Sequence, residues 1–377
     1  MQKADSRLLL GNILVSPEDH APGLPLRTWD ILIRQSKRAG LAGRLASVLD
    51  RADRLSEVPE RPRRHLEAEL QLARRQHDAV RWEVQQIRRA LDPTSTPIIL
   101  LKGAAYVCAG LPAADGRLFN DVDIMVPRVA LPEVELALLR HGWLPEALDP
   151  YDQRYYRDWM HELPPMRHAK RASVLDVHHT ILPPTARLKP DPRKLLKSAM
   201  PVAGYPDVYV LSPEDMVLHS ATHLFHDGEL EHGFRDIVDL DALVRHHSGE
   251  NPDFWNALVS RAAEMDLAQP LFYGLRYSQK LLGTQVPEAS MRALDRAGPG
   301  PLMRPVMDSL FQRALVPHHS SCDDALSPLA RWMLYVRSHY LRMPPRQLIP
   351  HLVRKSLKAR FPGKAHQPAQ DLLKLLK

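Results

Sequence analysis

Asn120-Asp121-Val122-Asp123-Ile124-Met125-Val126 is the stretch on which the reading of this chain turns. Two carboxylates are separated by one apolar residue, and an apolar run follows. In a strand, side chains alternate between faces, so Asp121 and Asp123 project to the same side. Like charges held side by side repel unless a cation lies between them. Hard divalent ions such as Mg²⁺ take oxygen ligands of this kind. The pair therefore reads as half of a metal site at the mouth of a strand, with Mg²⁺, or Mn²⁺ in its place, as the ion.

Working outward, Pro97-Ile98-Ile99-Leu100-Leu101 is a short continuous apolar run, the mark of a buried strand. Lys102-Gly103-Ala104-Ala105 follows and opens a helix predicted to run through Gly110. A glycine there lets the backbone approach a phosphate, and a helix N-terminus offers free N–H groups. Arg117 precedes Asp121 by four residues, within reach of a carboxylate or of phosphate oxygens. Residues 130–141 are expected to be helical. Further strands are expected over Trp143–Ala147, Glu162–His168 and Ser173–Ile181. Helices and strands thus mix between about residues 96 and 182, which predicts a compact domain of both. Asp176 sits inside Val174-Leu175-Asp176-Val177-His178. A carboxylate among apolar strand residues calls for a partner, either a metal or an arginine such as Arg171.

The flanks read differently. Apolar residues recur at helical spacing from Trp29 to Leu49. Leu66, Leu70, Ala73, His77, Val80, Val84, Ile87 and Leu91 then form one stripe on a long helix that Asp92-Pro93 ends. His77 on that stripe is expected to pack. Beyond Pro183 the chain is rich in Pro and Lys, then helical again: Ser212-Pro213 starts a helix, and Phe234–His246, Phe254–Met265 and Pro270–Leu282 are further helices. The chain divides into residues 1–95, helical; 96–210, mixed; and 211–377, helical with a basic tail. His219, His223 and His226 share a helical face, with His232 nearby. Zinc is one reading of them, but the Glu of a zinc-protease motif is absent, and they are expected to line the cleft or pack beneath it. Asp239 is expected to orient a histidine or close the cleft. The tail, with Arg354, Lys355, Lys358, Arg360 and Lys364, has no interleaved aromatics that would favour single-stranded nucleic acid, and reads as a solvated helix face.

The whole chain has 377 residues and a formal net charge of +7, which suits an acidic substrate without choosing one. Two cysteines, Cys108 and Cys322, make no disulfide framework and point to a cytoplasmic protein. No uncharged run approaches the length of a membrane span, and the early stretch Leu8–Val15 lacks the marks of a signal peptide.

Lys-Gly-Ala-Ala after a strand, then Arg-x-x-x-Asp-x-Asp-Ile-Met-Val, resembles the nucleotidyltransferases of the DNA polymerase β superfamily. More narrowly it resembles the bacterial branch with Leu-Lys-Gly followed by Arg-x-x-x-Asp-x-Asp. The resemblance covers roughly residues 25–250 and is strongest at 99–126. It implies an α+β fold, with a polymerase β-like core (a mixed sheet with flanking helices) between N- and C-terminal helical regions. It implies transfer of a nucleoside monophosphate from an NTP such as ATP to an acceptor, with release of pyrophosphate. The acceptor is a small molecule, a sugar, a protein hydroxyl or RNA. Carried onto this chain, Asp121 and Asp123 match the paired metal ligands and Asp176 the third carboxylate. Gly103 with Ala104 matches the glycine motif at the triphosphate, where the superfamily more usually has Gly-Ser or Gly-Gly. Lys102 and Arg117 match the branch's own pattern and are assigned to phosphates by their charge. The departure at Ala104 leaves open a nucleotide-binding or regulatory protein without turnover. The amphipathic N-terminal helix and basic tail leave open a helical scaffold of a surface-polysaccharide system, and the histidines a zinc hydrolase.

Overall fold

The computed structural model describes residues 6–146, 156, 160–227 and 230–342. The basic tail singled out above lies outside the described residues. The centre of the molecule is a seven-stranded mixed sheet in the order β3-β4-β5-β2-β1-β7-β6. Its strands are β1 (Ile98–Leu101), β2 (Asp121–Met125), β3 (Trp143–Pro145), β4 (Met166–His168), β5 (Val174–His178), β6 (Met200–Pro201) and β7 (Val208–Val210). The fold is therefore α+β, a mixed sheet flanked by helices, as the sequence implied. All four residues of β1 are buried, because this strand lies inside the sheet and both faces are covered; such strands read as unbroken apolar runs.

Five helices position the site: α1 (Ala42–Arg51), α2 (Glu60–Leu91), α3 (Lys102–Cys108), α4 (Pro213–Thr222) and α5 (Gly233–Glu250). The 32-residue α2 buries Leu66, Leu70, Ala73, Val80, Val84, Ile87 and Leu91, all on the predicted stripe. It packs on α1, on α3 and on the helix Leu131–Arg140. The segment Trp29–Leu49, with its helical spacing, lies in two helices, Leu26–Arg38 and Ala42–Arg51, separated at the Gly40 turn. Strands β6 and β7 were not expected. They lie in the Pro- and Lys-rich stretch, and β7 pairs in parallel with β1. Of the predicted strand Glu162–His168 only Met166–His168 forms, although Glu162 makes an isolated antiparallel bridge to His178.

The buried apolar residues form one cluster that runs from Leu9 to Leu334. The helical flanks and the sheet thus share a core. Each fully buried Leu or Ile in it contributes about 1.5–3 kcal/mol relative to exposure. Cys108 and Cys322 are free thiols. Among the described residues no helix is long and apolar enough to cross a membrane.

Candidate active site

The register of the sheet builds the acidic edge. Strands β2 and β5 run parallel, with Asp121 beside Val174, Asp123 beside Asp176 and Met125 beside His178. Residues paired across a ladder point to one face, so Asp121, Asp123, Asp176 and His178 share a face. Asp121 is exposed at the open end of β2, whereas Asp123 is buried. All four line a cavity of about 410 Å³, together with Lys102, Gly103, Arg117, His161, Glu162, His219, His223, His232 and Arg235.

Asp123 is the most heavily engaged carboxylate. Lys102 Nζ donates to its Oδ1 at 3.0 Å, and His178 Nε2 lies 3.0 Å from the same oxygen. Burial opposes charge on Asp123, but Lys102 and His178 outweigh it and hold the carboxyl well below the usual range. Asp121 moves the other way, raised by partial desolvation and by the charge of Asp123. Asp176 is pushed up to about 7, first by burial and then by the charges of Asp123 and Glu162. Arg171, the arginine considered for Asp176, pairs instead with Glu83 at 2.7 Å and stacks over Trp143. Asp176 Oδ1 is buried and finds no hydrogen-bond donor among the described residues. A buried carboxylate oxygen without a donor, beside two further carboxylates on the same face, is a donor set that fits a hard divalent cation.

The backbone of Lys102 is held at φ 45° at the junction of β1 and α3, a region that costs a non-glycine residue of order 1 kcal/mol and is found at functional sites. Gly103 lines the cavity, but what fills the space over its Cα is protein. A Cβ there would overlap the Phe119 ring and approach Arg117 Nη1 to 2.8 Å. Glycine is thus demanded by the close seating of Phe119 and Arg117 against α3. Ala104 is buried and does not line the cavity.

Arg117 is buried, and its Nε lies 2.6 Å from Asp239 Oδ2. Asp239 also faces Arg44 at 3.6 Å, so its partners here are two arginines rather than a histidine, the first of the two roles expected of it; it lines the cavity as well. Arg44 donates as well to the carbonyls of Pro112 and Ala113. The segment carrying Arg117 is tied down from the other side by α2. Gln76 bonds both backbone groups of Phe119, and His77 Nε2 lies 3.0 Å from the Arg117 carbonyl. The long helix therefore supplies the clamp for the loop before Asp121, and His77 packs as expected while also holding that loop.

The histidines divide. His219 and His223 line the cavity from α4 and the turn after it, and His226 is buried without lining it. Among the described residues, the groups whose ligand atoms lie within 4.8 Å of one another are His161, Glu162 and His178, and separately His246, His247 and Glu250. Neither includes the histidines from which a zinc site was considered. Sequence reasoning passed over His178, Glu162 and His161. His178 was in view, two residues after Asp176 and on the same strand face, and that spacing was the available signal. Glu162 and His161 gave none, because an isolated bridge, not a regular strand, brings them to β5.

A mixed sheet flanked by helices, with acidic and basic side chains gathered on one cavity, is the architecture of a nucleotidyltransferase core. A family model described as uncharacterised nucleotidyltransferase matches residues 25–283, and the chain belongs to that family. It is accordingly an enzyme, a transferase of phosphorus-containing groups, with an NTP as one substrate and an acceptor as the other. No curated protein and no solved structure matches the chain.

Proposed function

We propose that the enzyme moves a nucleoside monophosphate from an NTP to an acceptor hydroxyl in a reaction that needs Mg²⁺ or Mn²⁺. The observation that carries this reading is the register of β2 on β5, which sets Asp121, Asp123 and Asp176 on one face at the cavity. These three would hold the cation. When bound it would neutralise triphosphate charge and align the displacement.

The chain's own groups have distinct parts. Lys102, Arg117 and Arg235 line the cavity and supply positive charge to the triphosphate. Asp239 fixes the guanidinium of Arg117. Asp176 lines the cavity beside Asp123 and is placed to take the proton of the acceptor hydroxyl. That oxygen bonds to the α-phosphorus, the bond from the α-phosphorus to its bridging oxygen breaks, and pyrophosphate leaves.

We place the chain in the polymerase β-like superfamily on the Lys102-Gly103 and Asp121-x-Asp123 pattern. The catalytic core is residues 96–210, between an N-terminal region 1–95 and a C-terminal region 211–377, each helical over its described residues. The free thiols favour the cytoplasm. A small molecule, a sugar, a protein hydroxyl and RNA all remain as acceptors.

The test is calorimetric titration with a non-hydrolysable NTP analogue. Binding should require Mg²⁺, disappear in EDTA and disappear in the Asp121→Asn/Asp123→Asn variant. Equal binding with and without the metal, in both proteins, would sink the proposal.

A further inference from the structure

His178 bridges two carboxylates. Its Nε2 lies 3.0 Å from Asp123 Oδ1 and its Nδ1 lies 3.2 Å from Glu162 Oε2. A neutral imidazole can donate from only one nitrogen. Asp123 Oδ1 also takes Lys102 Nζ at 3.0 Å. With the His178 N–H on Nε2 toward it, the contact of Nδ1 with Glu162 needs a positive charge, met either by a second proton, toward which both carboxylates draw the ring, or by a metal ion. The third member of the group is His161, whose ring centroid is 5.2 Å from that of His178. His161 is 8% exposed, and its Nδ1 is buried with no hydrogen-bond partner among the described residues. The ligand atoms of His161, Glu162 and His178 all lie within 4.8 Å of one another. The backbone holds the group together: Leu163 N donates to Val177 O, and His179 N donates to His161 O, both at 2.9 Å.

We propose that His161, Glu162 and His178 form a binding site for a divalent transition metal, Zn²⁺ in the first place, separate from the cation edge made by the three aspartates. Two imidazoles and one carboxylate make a mixed nitrogen–oxygen set that suits borderline Zn²⁺ and leaves positions for water, whereas Mg²⁺ prefers all-oxygen surroundings. A metal-bound histidine ordinarily donates its other N–H to a carboxylate, which fixes its tautomer. Asp123 stands in that place here. The metal would thus act through His178 as a positioning device for Asp123, whose Oδ1 is committed to His178 and Lys102. The site does not depend on the chain being a nucleotidyltransferase.

The experiment uses the full chain, stripped with chelator and dialysed against Zn²⁺ or Co²⁺. About one equivalent of Zn²⁺ should remain bound. Co²⁺ should give the intense visible bands of a low-coordinate site with nitrogen ligands, and X-ray absorption of the zinc protein should show two imidazoles. His161→Gln and Glu162→Gln should each weaken Zn²⁺ binding by at least ~100-fold. Asp121→Asn should keep the Co²⁺ bands, and this separates the site from the proposed nucleotide-linked cation, which that variant should lose. No retained zinc in the wild-type chain, an all-oxygen shell, or bands that persist in both site variants would each overturn the proposal. The wild-type uptake and X-ray absorption decide the matter even if a variant fails to fold.

Discussion

Lys102 Nζ and Asp123 Oδ1 lie 3.0 Å apart, so the most buried carboxylate of the acidic edge already carries a cation of the protein's own. Lys102 holds a left-handed backbone at the strand-to-helix junction, and from there its side chain reaches Asp123 on β2. Replacing Lys102 by Met removes this charge while keeping the apolar stem. The acidic edge then depends on added metal. Mg²⁺ should raise the melting temperature of Lys102→Met by more than it raises that of the wild type, and kcat/KM for the NTP should fall by about 10²-fold, the scale for loss of one charge-stabilising donor. Equal thermal shifts in the two proteins would show that Lys102 does not neutralise Asp123.

Gly103 makes a packing prediction. Adding one methyl group by Gly103→Ala forces the Phe119 ring and Arg117 away from α3, and overpacking of this kind costs about 1–3 kcal/mol. Phe119→Leu in the same chain should recover part of the loss. Urea unfolding of the two single variants and the double variant gives the coupling directly. Additive losses would mean that Phe119 is not what requires the glycine.

Asp239 joins two buried guanidiniums. Asp239→Asn leaves Arg44 and Arg117 without their carboxylate. Removing one partner of a buried ion pair costs about 3–5 kcal/mol, so the denaturation midpoint should drop by a corresponding amount. A variant within about 1 kcal/mol of wild type would remove Asp239 from the support of the site.

The pH dependence follows from Asp176. Its folded value near 7 lies above the ordinary carboxylate range, so the folded protein retains a proton that the unfolded chain releases near pH 4. The associated stability is fully present below about pH 4 and is lost as pH rises through 7. In metal-free protein the stability difference between wild type and Asp176→Asn should therefore change across pH 4–7.5. Mn²⁺ affinity should rise by up to about tenfold per pH unit below 7 and level off above it, since the ion competes with that proton. Electron paramagnetic resonance of free Mn²⁺ follows this, and a flat profile in the wild type would remove Asp176 from the ligand set.

Much of the centre of this fold is written in short-range pattern. The run Ile98–Leu101 and the alternation Asp121-Val122-Asp123 depend on which neighbours cover a strand, and the α2 stripe depends on helical period, so local reading finds them. β7 is different. Val208-Tyr209-Val210 is three residues long in a Pro-rich segment, and its pairings with β1 and with β6 make it a strand. The same limit applies at the site. That two aspartates share a face follows from spacing. That His178 faces Glu162, that Gly103 is pressed by Phe119, and that Asp239 holds Arg44 and Arg117 are contacts between distant segments, which no spacing encodes.

Transfer of label from each α-labelled NTP, with Mg²⁺ and a panel of small-molecule, sugar, protein and RNA acceptors, tests the central claim most directly. The wild-type chain should form a labelled product from at least one pairing and release pyrophosphate in equal amount, and Asp121→Asn/Asp123→Asn should lose at least about 10³-fold of that rate. Identical behaviour of the wild type and the variant across the panel would contradict the assignment of the Asp121–Asp123 edge to catalysis.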